Sequence, residues 1–106
     1  MPERYRVVFS PEVSDQLADL EEAIASTGRP ATAQTYVDAL VTFCEQLDQF
    51  PHRGVARDDL LDGLRVTHYR GRTVIAYRVV GDLVAILGVY YGGQDYESSL
   101  RPEDYD

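Results

Sequence analysis

The chain has 106 residues, of which 44% are hydrophobic and 26% charged, and its net charge is −8. A chain of this length forms one domain and buries roughly 65% of its unfolded surface, enough for a single core without disulfides or metals. No apolar run reaches the ~20 residues of a membrane helix, no targeting stretch opens the chain, and its one cysteine has no internal partner. We therefore predict a soluble, cytoplasmic protein.

The charge is distributed unevenly along the chain. Residues 53–81 contain six arginines and three acids, a local charge of +3, whereas the segments on either side are acidic. Because phosphate contacts supply most nucleic-acid affinity, the overall charge disfavours direct nucleic-acid binding. Any anion-binding surface must come from the middle of the chain. Every basic residue is arginine, which a GC-rich genome also explains.

The N-terminal half has the pattern of one strand followed by two helices. In residues 4–9, "RYRVVF", the apolar side chains alternate as in a strand with one buried face. Ser10 is a good helix N-cap and Pro11 suits the first helical position. The first helix then carries an apolar stripe and ends at Gly28; the stripe consists of Val13, Leu17, Leu20 and Ile24.

A second helix is predicted from about Ala31 to Phe50, ended by Pro51. Because the turn between the two helices is short, they should form an antiparallel hairpin. Residues 51–63 lack periodicity and indicate a loop, with a helical turn possible at residues 58–61.

Beyond residue 63 the apolar period changes to two. The segments 64–70, 72–80 and 82–91 predict three antiparallel strands joined by short turns. The last strand is apolar on both faces, which predicts an interior position beside the first strand. Strict alternation places Leu83, Ala85, Leu87 and Val89 on one face, and Val84, Ile86 and Tyr90 on the other.

The predicted fold class is α+β. It consists of an N-terminal strand, an antiparallel helix hairpin and a three-stranded antiparallel meander, with the helices packed on one face of a small twisted sheet. We predict a single domain over residues 1–106, with a core of about 4–97 and a polar, acidic tail over 98–106.

The usual catalytic patterns are missing from the sequence. His52 and His68 have no second strong ligand at metal-binding spacing, and Cys44 lies on the apolar stripe of the second helix. We predict no metal, no cofactor and no thiol nucleophile. One further possibility is cleavage of a phosphodiester on a phosphate-binding face formed by four arginines, Arg65, Arg70, Arg72 and Arg78. For that reaction only His68 or a tyrosine is available as the general acid or base.

The residues at the end of the last strand, "VYYGGQDY", have two interpretations, and the sequence does not decide between them. The Gly92–Gly93 pair lets the chain turn sharply off the strand. The tyrosines Tyr90, Tyr91 and Tyr96 either cover the core or serve recognition, since tyrosine provides large and fairly rigid contact area.

The order of elements, together with "FPHRG", "LLDGLRV" and "VIAYRVVGDLVAILGVYYGGQDY", resembles the ParE/RelE superfamily of toxins from bacterial type II toxin-antitoxin modules, the ParE branch most closely. The resemblance covers residues 4–97. Its most specific elements are Gly63–Leu64–Arg65 entering a strand, the "IAYRV" strand over 75–79, and the glycine turn over 92–95.

The resemblance implies a toxin that poisons DNA gyrase by protein–protein binding. It also implies neutralisation by a ParD-like antitoxin, itself expected to carry a ribbon-helix-helix DNA-binding domain. RelE toxins instead cut messenger RNA on the ribosome, and they resemble one another in being strongly basic. The charge of −8, the lack of lysine, and Gly92, Gly93 and Gln94 after the last strand depart from that pattern. We therefore expect the chain to act by binding another protein and not by catalysis.

Two sets of contact residues follow as expectations. An antitoxin groove between the helix hairpin and the sheet would use Leu17, Leu20, Tyr36, Leu40, Arg72 and Arg78. The gyrase contact would use Arg65, Gly92, Gly93, Gln94 and Tyr96. Two alternatives remain: a RelE-like, metal-independent ribonuclease using Arg65, Arg78, His68 and Tyr96, and a degenerate member that binds an antitoxin-like partner without poisoning anything.

Overall fold

A computed structural model describes residues 5–92 and 96–100, without the side chains of residues 98 and 99. Three helices, a 3₁₀ turn and five strands make up this part of the chain. In order, they are β1 (Arg6–Phe9), α1 (Pro11–Thr27), α2 (Pro30–Glu45), the 3₁₀ turn (Gln46–Asp48), β2 (Val55–Ala56), β3 (Leu64–Tyr69), β4 (Thr73–Val80), β5 (Leu83–Tyr91) and α3 (Tyr96–Leu100).

The strands form one mixed sheet in the order β1-β5-β4-β3-β2. The antiparallel pairing of β3 with β4 and of β4 with β5 confirms the predicted meander. β1 runs parallel to β5, with Val8 opposite Ala85, which confirms the predicted neighbours. The two-residue strand β2 pairs with β3 and lies within the segment predicted as a loop.

The helix hairpin begins as predicted but its second helix is shorter. The Ser10 side chain caps α1, since its Oγ accepts a hydrogen bond from the Val13 N–H at 3.3 Å. The prediction of a helix reaching Phe50 was wrong: α2 ends at Glu45 and a 3₁₀ turn follows. That turn places Leu47 in the core with no exposed surface, and Pro51 disfavours helical geometry at Phe50, which is 68% exposed.

Both helices α1 and α2 pack on one face of the sheet, here called the helix face, which confirms the predicted α+β architecture. The core between them is close to fully buried. Its members are Val13, Leu20, Val37, Leu40, Cys44, Leu47, Ile75, Tyr77, Val84, Ile86 and Val89.

The opposite face of the sheet, here called the second face, has a smaller core of its own. Leu60, Leu64, Val66, Ala76 and Tyr90 are buried there, with Tyr96 and Leu100 of α3 packed against them. One end of the second face is therefore covered by the segment 57–63 and by α3, an arrangement that the sequence did not predict.

A β-bulge in β5 changes which side chains share a face. Ala76 of β4 pairs with Gly88 and the next residue, Tyr77, pairs with Ile86, so Leu87 is an extra residue on β5. Val89 therefore joins Val84 and Ile86 in the helix-face core, and Tyr90 lies in the second-face core. The strict alternation predicted for Val89 and Tyr90 was wrong because a bulge reverses the side-chain faces beyond it.

Candidate partner-binding surfaces

An aromatic cluster lies where α2 meets the ends of β3 and β5 on the helix face. The Tyr36 ring makes edge-to-face contacts with Tyr69 at 5.5 Å and with Tyr91 at 5.9 Å between centroids. Phe43 lies 5.2 Å from Tyr69. All four side chains are only partly buried, so the cluster both seals the core and presents aromatic surface to solvent.

A hydrogen bond to a buried threonine lies at the centre of this cluster. The Tyr36 hydroxyl lies 2.7 Å from the Thr73 hydroxyl, and Thr73 has no exposed surface. Two cations flank the rings: the Arg70 guanidinium is 5.4 Å from the Tyr69 centroid and the Arg53 guanidinium is 5.3 Å from Phe43. The rim is thus cationic although the whole chain is strongly acidic.

Arg57 joins the segment 57–63 to α3 at the edge of the second face. Its guanidinium donates to the Asp59 carboxylate at 2.8 and 2.9 Å, to Glu97 at 2.8 Å, and to the Tyr96 hydroxyl at 3.1 Å. The hydrogen bonds that Arg57 donates to Asp59, and then the one to Glu97, raise the pKa of Arg57 further above its usual range. The Tyr96 ring also packs 6.0 Å from Tyr90. Tyr96 is therefore held in place by both a charged group and a ring.

Arg65 holds the loop that follows the 3₁₀ turn. Its guanidinium donates to the Arg53 carbonyl at 3.1 Å, to the Gly54 carbonyl at 3.3 Å, and to the His52 carbonyl. The Tyr77 hydroxyl donates to the same Arg53 carbonyl. Burial raises the pKa of Tyr77, an effect that the neighbouring Arg65 partly opposes. These bonds give Arg65 a structural role in shaping the loop.

The residues predicted to bind an antitoxin do not form one surface. Leu20 and Leu40 are 5% and 0% exposed, so both are core residues with almost no surface to offer a partner. Leu17 and Tyr36 are partly buried on the helix face, and Arg72 is exposed at the turn between β3 and β4. Arg78 lies on the second face, with its Nε buried and without a hydrogen-bond partner in the described part of the chain.

The predicted gyrase contacts fall partly outside the described residues. Gly93 and Gln94 lie in the gap between 92 and 96, while Gly92 is exposed and has a positive φ of 67°. The Arg65 guanidinium is hydrogen-bonded to the loop 52–54, and the Tyr96 hydroxyl accepts a hydrogen bond from Arg57.

The four residues of the ribonuclease alternative are not brought together. Arg65 lies on the helix face, whereas His68 and Arg78 lie on the second face. Along β4 the partner of His68 is Val74, four residues or about 13 Å from Arg78. Tyr96 is on the second face as well, at the Arg57 junction.

The remaining titratable candidates fit structural roles. Burial raises the pKa of the Cys44 thiol to about 12, with a further contribution from Glu45. His52 packs edge-to-face against Tyr5 at 6.3 Å. Within residues 5–92 and 96–100, no group of three or more histidine, cysteine, aspartate or glutamate side chains is arranged to hold a metal. No helix in that part of the chain has the length and apolarity to span a membrane.

Sequence reasoning missed Arg57 and the hydrogen bonds by which it links the segment 57–63 to α3. Arg57 and Glu97 are 40 positions apart, so no local spacing connects them. The sequence contains only an indirect signal of this arrangement. Leu60 and Leu61 are apolar residues in a segment otherwise interpreted as a solvated loop, which indicates that the segment packs against an apolar surface.

Comparison with known proteins adds a family to this geometry. The family model described as "ParE toxin of type II toxin-antitoxin system, parDE" matches residues 7–96. No curated protein sequence matches the chain.

Two solved structures share the fold. One is the chromosomal ParDE toxin-antitoxin system from P. aeruginosa, with a TM-score of 0.72 and 20% identity, covering 83% of this chain and 96% of that one. The other is the toxin-antitoxin complex RelBE2 from Mycobacterium tuberculosis, with a TM-score of 0.59 and 23% identity, covering 83% of this chain and 98% of that one. At these identities the likeness establishes the fold.

Proposed function

Since the chain belongs to the ParE toxin family of type II toxin-antitoxin systems, we propose that it poisons DNA gyrase in the cytoplasm by protein–protein binding, without catalysing a reaction itself. In the same proposal a ParD-like antitoxin neutralises it. Both partners are proteins, so the activity depends on surfaces and not on an assembled reaction centre.

The separation of the arginines is the observation that carries this proposal. Cleavage of a phosphodiester without a metal needs a cation and a general acid or base within reach of one phosphate. Here Arg65 binds three loop carbonyls on the helix face, and Arg78 and His68 are far apart on the second face. This arrangement favours binding over ribonuclease chemistry, as does the net charge of −8.

For the antitoxin, the helix-face aromatic cluster is the surface we favour among the predicted residues. Tyr36 and Leu17 offer partly exposed apolar area, and Arg70 and Arg72 offer exposed cations at one rim. An amphipathic antitoxin segment with acids on its edge would match both features. Arg78 lies on the other face, so it would contact a different part of the antitoxin or the target.

For gyrase, we place the contact on the second face around α3 and the turn at Gly92. Tyr96 is held there by contacts with Arg57 and Tyr90, and a tyrosine that is already positioned loses less entropy on binding. Gly93 and Gln94 remain part of this proposed contact. Arg65 would contribute to gyrase binding only indirectly, through its hydrogen bonds to the loop 52–54.

Expression in bacteria tests the proposal against its alternatives. Induction should stop growth of a host with ordinary gyrase, and co-expression of the antitoxin should restore it. Growth arrest should be lost in a host whose gyrase resists poisoning. Arrest that persists there, with cleavage of ribosome-bound messenger, would establish the ribonuclease alternative instead. Harmless expression of folded protein in both hosts would indicate a degenerate member that only binds its partner.

A further inference from the structure

The second face of the sheet is covered at one end and open at the other. The segment 57–63 and α3 lie over the covered end, where the second-face core is buried. At the other end Val8 and Val80 are 41% and 54% exposed. Strand register places six side chains together there, and we call them the open half of the second face: Arg6, Val8, Arg78, Val80, Leu83 and Ala85.

The open half contains two arginines without an acidic partner. Arg6 and Arg78 form no ion pair within residues 5–92 and 96–100, where both ion pairs belong to Arg57. The Arg78 Nε is buried and donates to no acceptor in that part of the chain. Asp82 meets Arg6 through its main-chain carbonyl, which accepts from the Arg6 N–H at 2.8 Å. Because a buried donor without an acceptor is costly, the open half favours an occupant that brings a carboxylate.

The segment that follows α3 has the complementary chemistry. Residues 101–106, "RPEDYD", lie outside the described residues and contain three acids, one arginine and one tyrosine, a net charge of −2. The tyrosine provides a large apolar ring. Pro102 is unfavourable inside a helix, so this sequence favours an extended course. The segment thus combines the carboxylates and the apolar area that the open half lacks.

The same segment is long enough to reach the open half. Leu100 packs against the second-face core, and Leu64 of that core is the register partner of Arg78. Even from Tyr90, whose partner on β4 is Val74, Arg78 lies only four residues or about 13 Å away along the strand. Six extended residues span about 20 Å.

We propose that residues 101–106 fold back over the open half of the second face as an extended segment. Side chains alternate along an extended chain, so Glu103 and Tyr105 face the sheet together. Glu103 pairs with the Arg78 guanidinium, and the Tyr105 ring covers Val8. While docked, the segment closes the open half to any other partner. The inference concerns this chain alone, so it stands or fails independently of the proposed function.

A second copy of this chain fits the open half less well. Two open halves placed together would bring Arg6 and Arg78 against the same cations of the other copy, in two chains of charge −8. Neither copy would supply a carboxylate for the Arg78 Nε from this surface.

Paramagnetic relaxation measured by NMR on the full chain tests the contact. A nitroxide attached at Asp106→Cys leaves Glu103 and Tyr105 unchanged, and the buried Cys44 should not react with the label. We expect strong relaxation enhancement at the Val8 amide. A folded chain without enhancement at Val8 would refute the docking.

Charge-matched variants separate docking from mere proximity to α3. Glu103→Gln should lower the ratio of docked to free segment, measured from the enhancement at Val8, by about threefold. Asp19→Asn removes the same charge from an exposed position on α1, across the sheet, and should change nothing. Equal enhancement at Val8 in both variants would overturn the proposal.

A double-variant cycle tests the assigned ion pair. Arg78→Gln should lower the ratio as much as Glu103→Gln does, and the combined variant should lower it no further. Additive losses would overturn the pairing of these two residues. If Arg78→Gln fails to fold, the comparison of Glu103→Gln with Asp19→Asn still decides.

A second pair of variants tests the ring. Tyr105→Ser should lower the ratio about fivefold because apolar contact with Val8 is lost, whereas Tyr105→Phe should keep the ratio within about twofold. Equal ratios in Tyr105→Ser and Tyr105→Phe would overturn the assignment of the ring.

Two further outcomes would assign the open half to another occupant. Isotope-labelled chains mixed with nitroxide-bearing unlabelled chains should show no enhancement at Val8. Enhancement in this mixture would assign the surface to a second copy and overturn the proposal. Absence of enhancement in the singly labelled chain, together with attenuation of the Val8 signal on adding gyrase, would assign the surface to gyrase and overturn it as well.

Discussion

The hydrogen bond between Tyr36 and Thr73 gives a prediction whose magnitude the structure fixes. Thr73 has no exposed surface, while Tyr36 is only partly buried. Tyr36→Phe keeps the ring contacts with Tyr69 and Tyr91 but leaves the Thr73 hydroxyl without this partner. An unsatisfied buried hydroxyl costs about 1–2 kcal/mol, so the free energy of unfolding should fall by that amount. The melting temperature should fall by about 4–8 °C per kcal/mol.

Thr73→Val should lower the free energy of unfolding by less than Tyr36→Phe does, and the losses of the two variants should not be additive. Thr73→Val leaves the unpaired hydroxyl on Tyr36, whose side chain is only partly buried, so we expect a smaller loss of about 0.5 kcal/mol. The double variant replaces both polar partners and should be close to Thr73→Val alone. Urea unfolding at 25 °C measures all four proteins. If the two single losses add within about 0.3 kcal/mol, the hydrogen bond is not the stabilising contact and the reasoning is refuted.

Three other substitutions or conditions give separate tests. Gly88→Ala places its Cβ 2.6 Å from the Tyr90 Cε2, so stability should fall by about 1–3 kcal/mol, and less when combined with Tyr90→Leu; urea unfolding of both backgrounds would show whether Tyr90 is the cause. The buried Cys44 thiol should resist iodoacetamide at pH 8 until the chain unfolds. Because the pKa of Cys44 is about 12 in the folded chain and 9.0 ordinarily, the free energy of unfolding should fall as the pH rises from 9 to 12, and thermal melts that show no change over this range would contradict this. Arg65→Ala should cost about 1–2 kcal/mol and speed amide exchange over residues 52–54, and unchanged exchange would remove its structural role.

The helix hairpin and the meander were predictable because their signals are local. Ser10 and Pro11 mark the start of α1, and the change to a period of two marks the strands from residue 64 onwards. The position of β1 beside β5 followed from burial, since a strand that is apolar on both faces needs neighbours on both sides.

The bulge at Leu87 could not be predicted from the apolar pattern. An extra residue leaves no mark on a strand that is apolar throughout, because both registers appear equally hydrophobic. The structure supplies the missing constraints: the Val89 N–H donates to the Gln16 side chain at 2.7 Å, and the Tyr90 ring lies over Gly88. Both are tertiary contacts.

The candidate contact residues were only partly predictable for a related reason. Position on an apolar stripe does not tell a core residue from a groove residue, so Leu20 and Leu40 were grouped with Leu17 and Tyr36. Likewise, the sequence shows that arginines are concentrated in the middle of the chain but not which face each one occupies. Strand register decides that, and it separates Arg65 from Arg78.

A cleavage assay with purified gyrase, plasmid DNA and this protein freed from antitoxin tests the central claim most directly. The account predicts that broken DNA covalently linked to gyrase accumulates with toxin concentration, and that adding antitoxin prevents this. A folded preparation that shows the expected cooperative unfolding, yet leaves gyrase supercoiling and cleavage unchanged, would contradict the account. The same preparation should then be assayed for cleavage of ribosome-bound messenger.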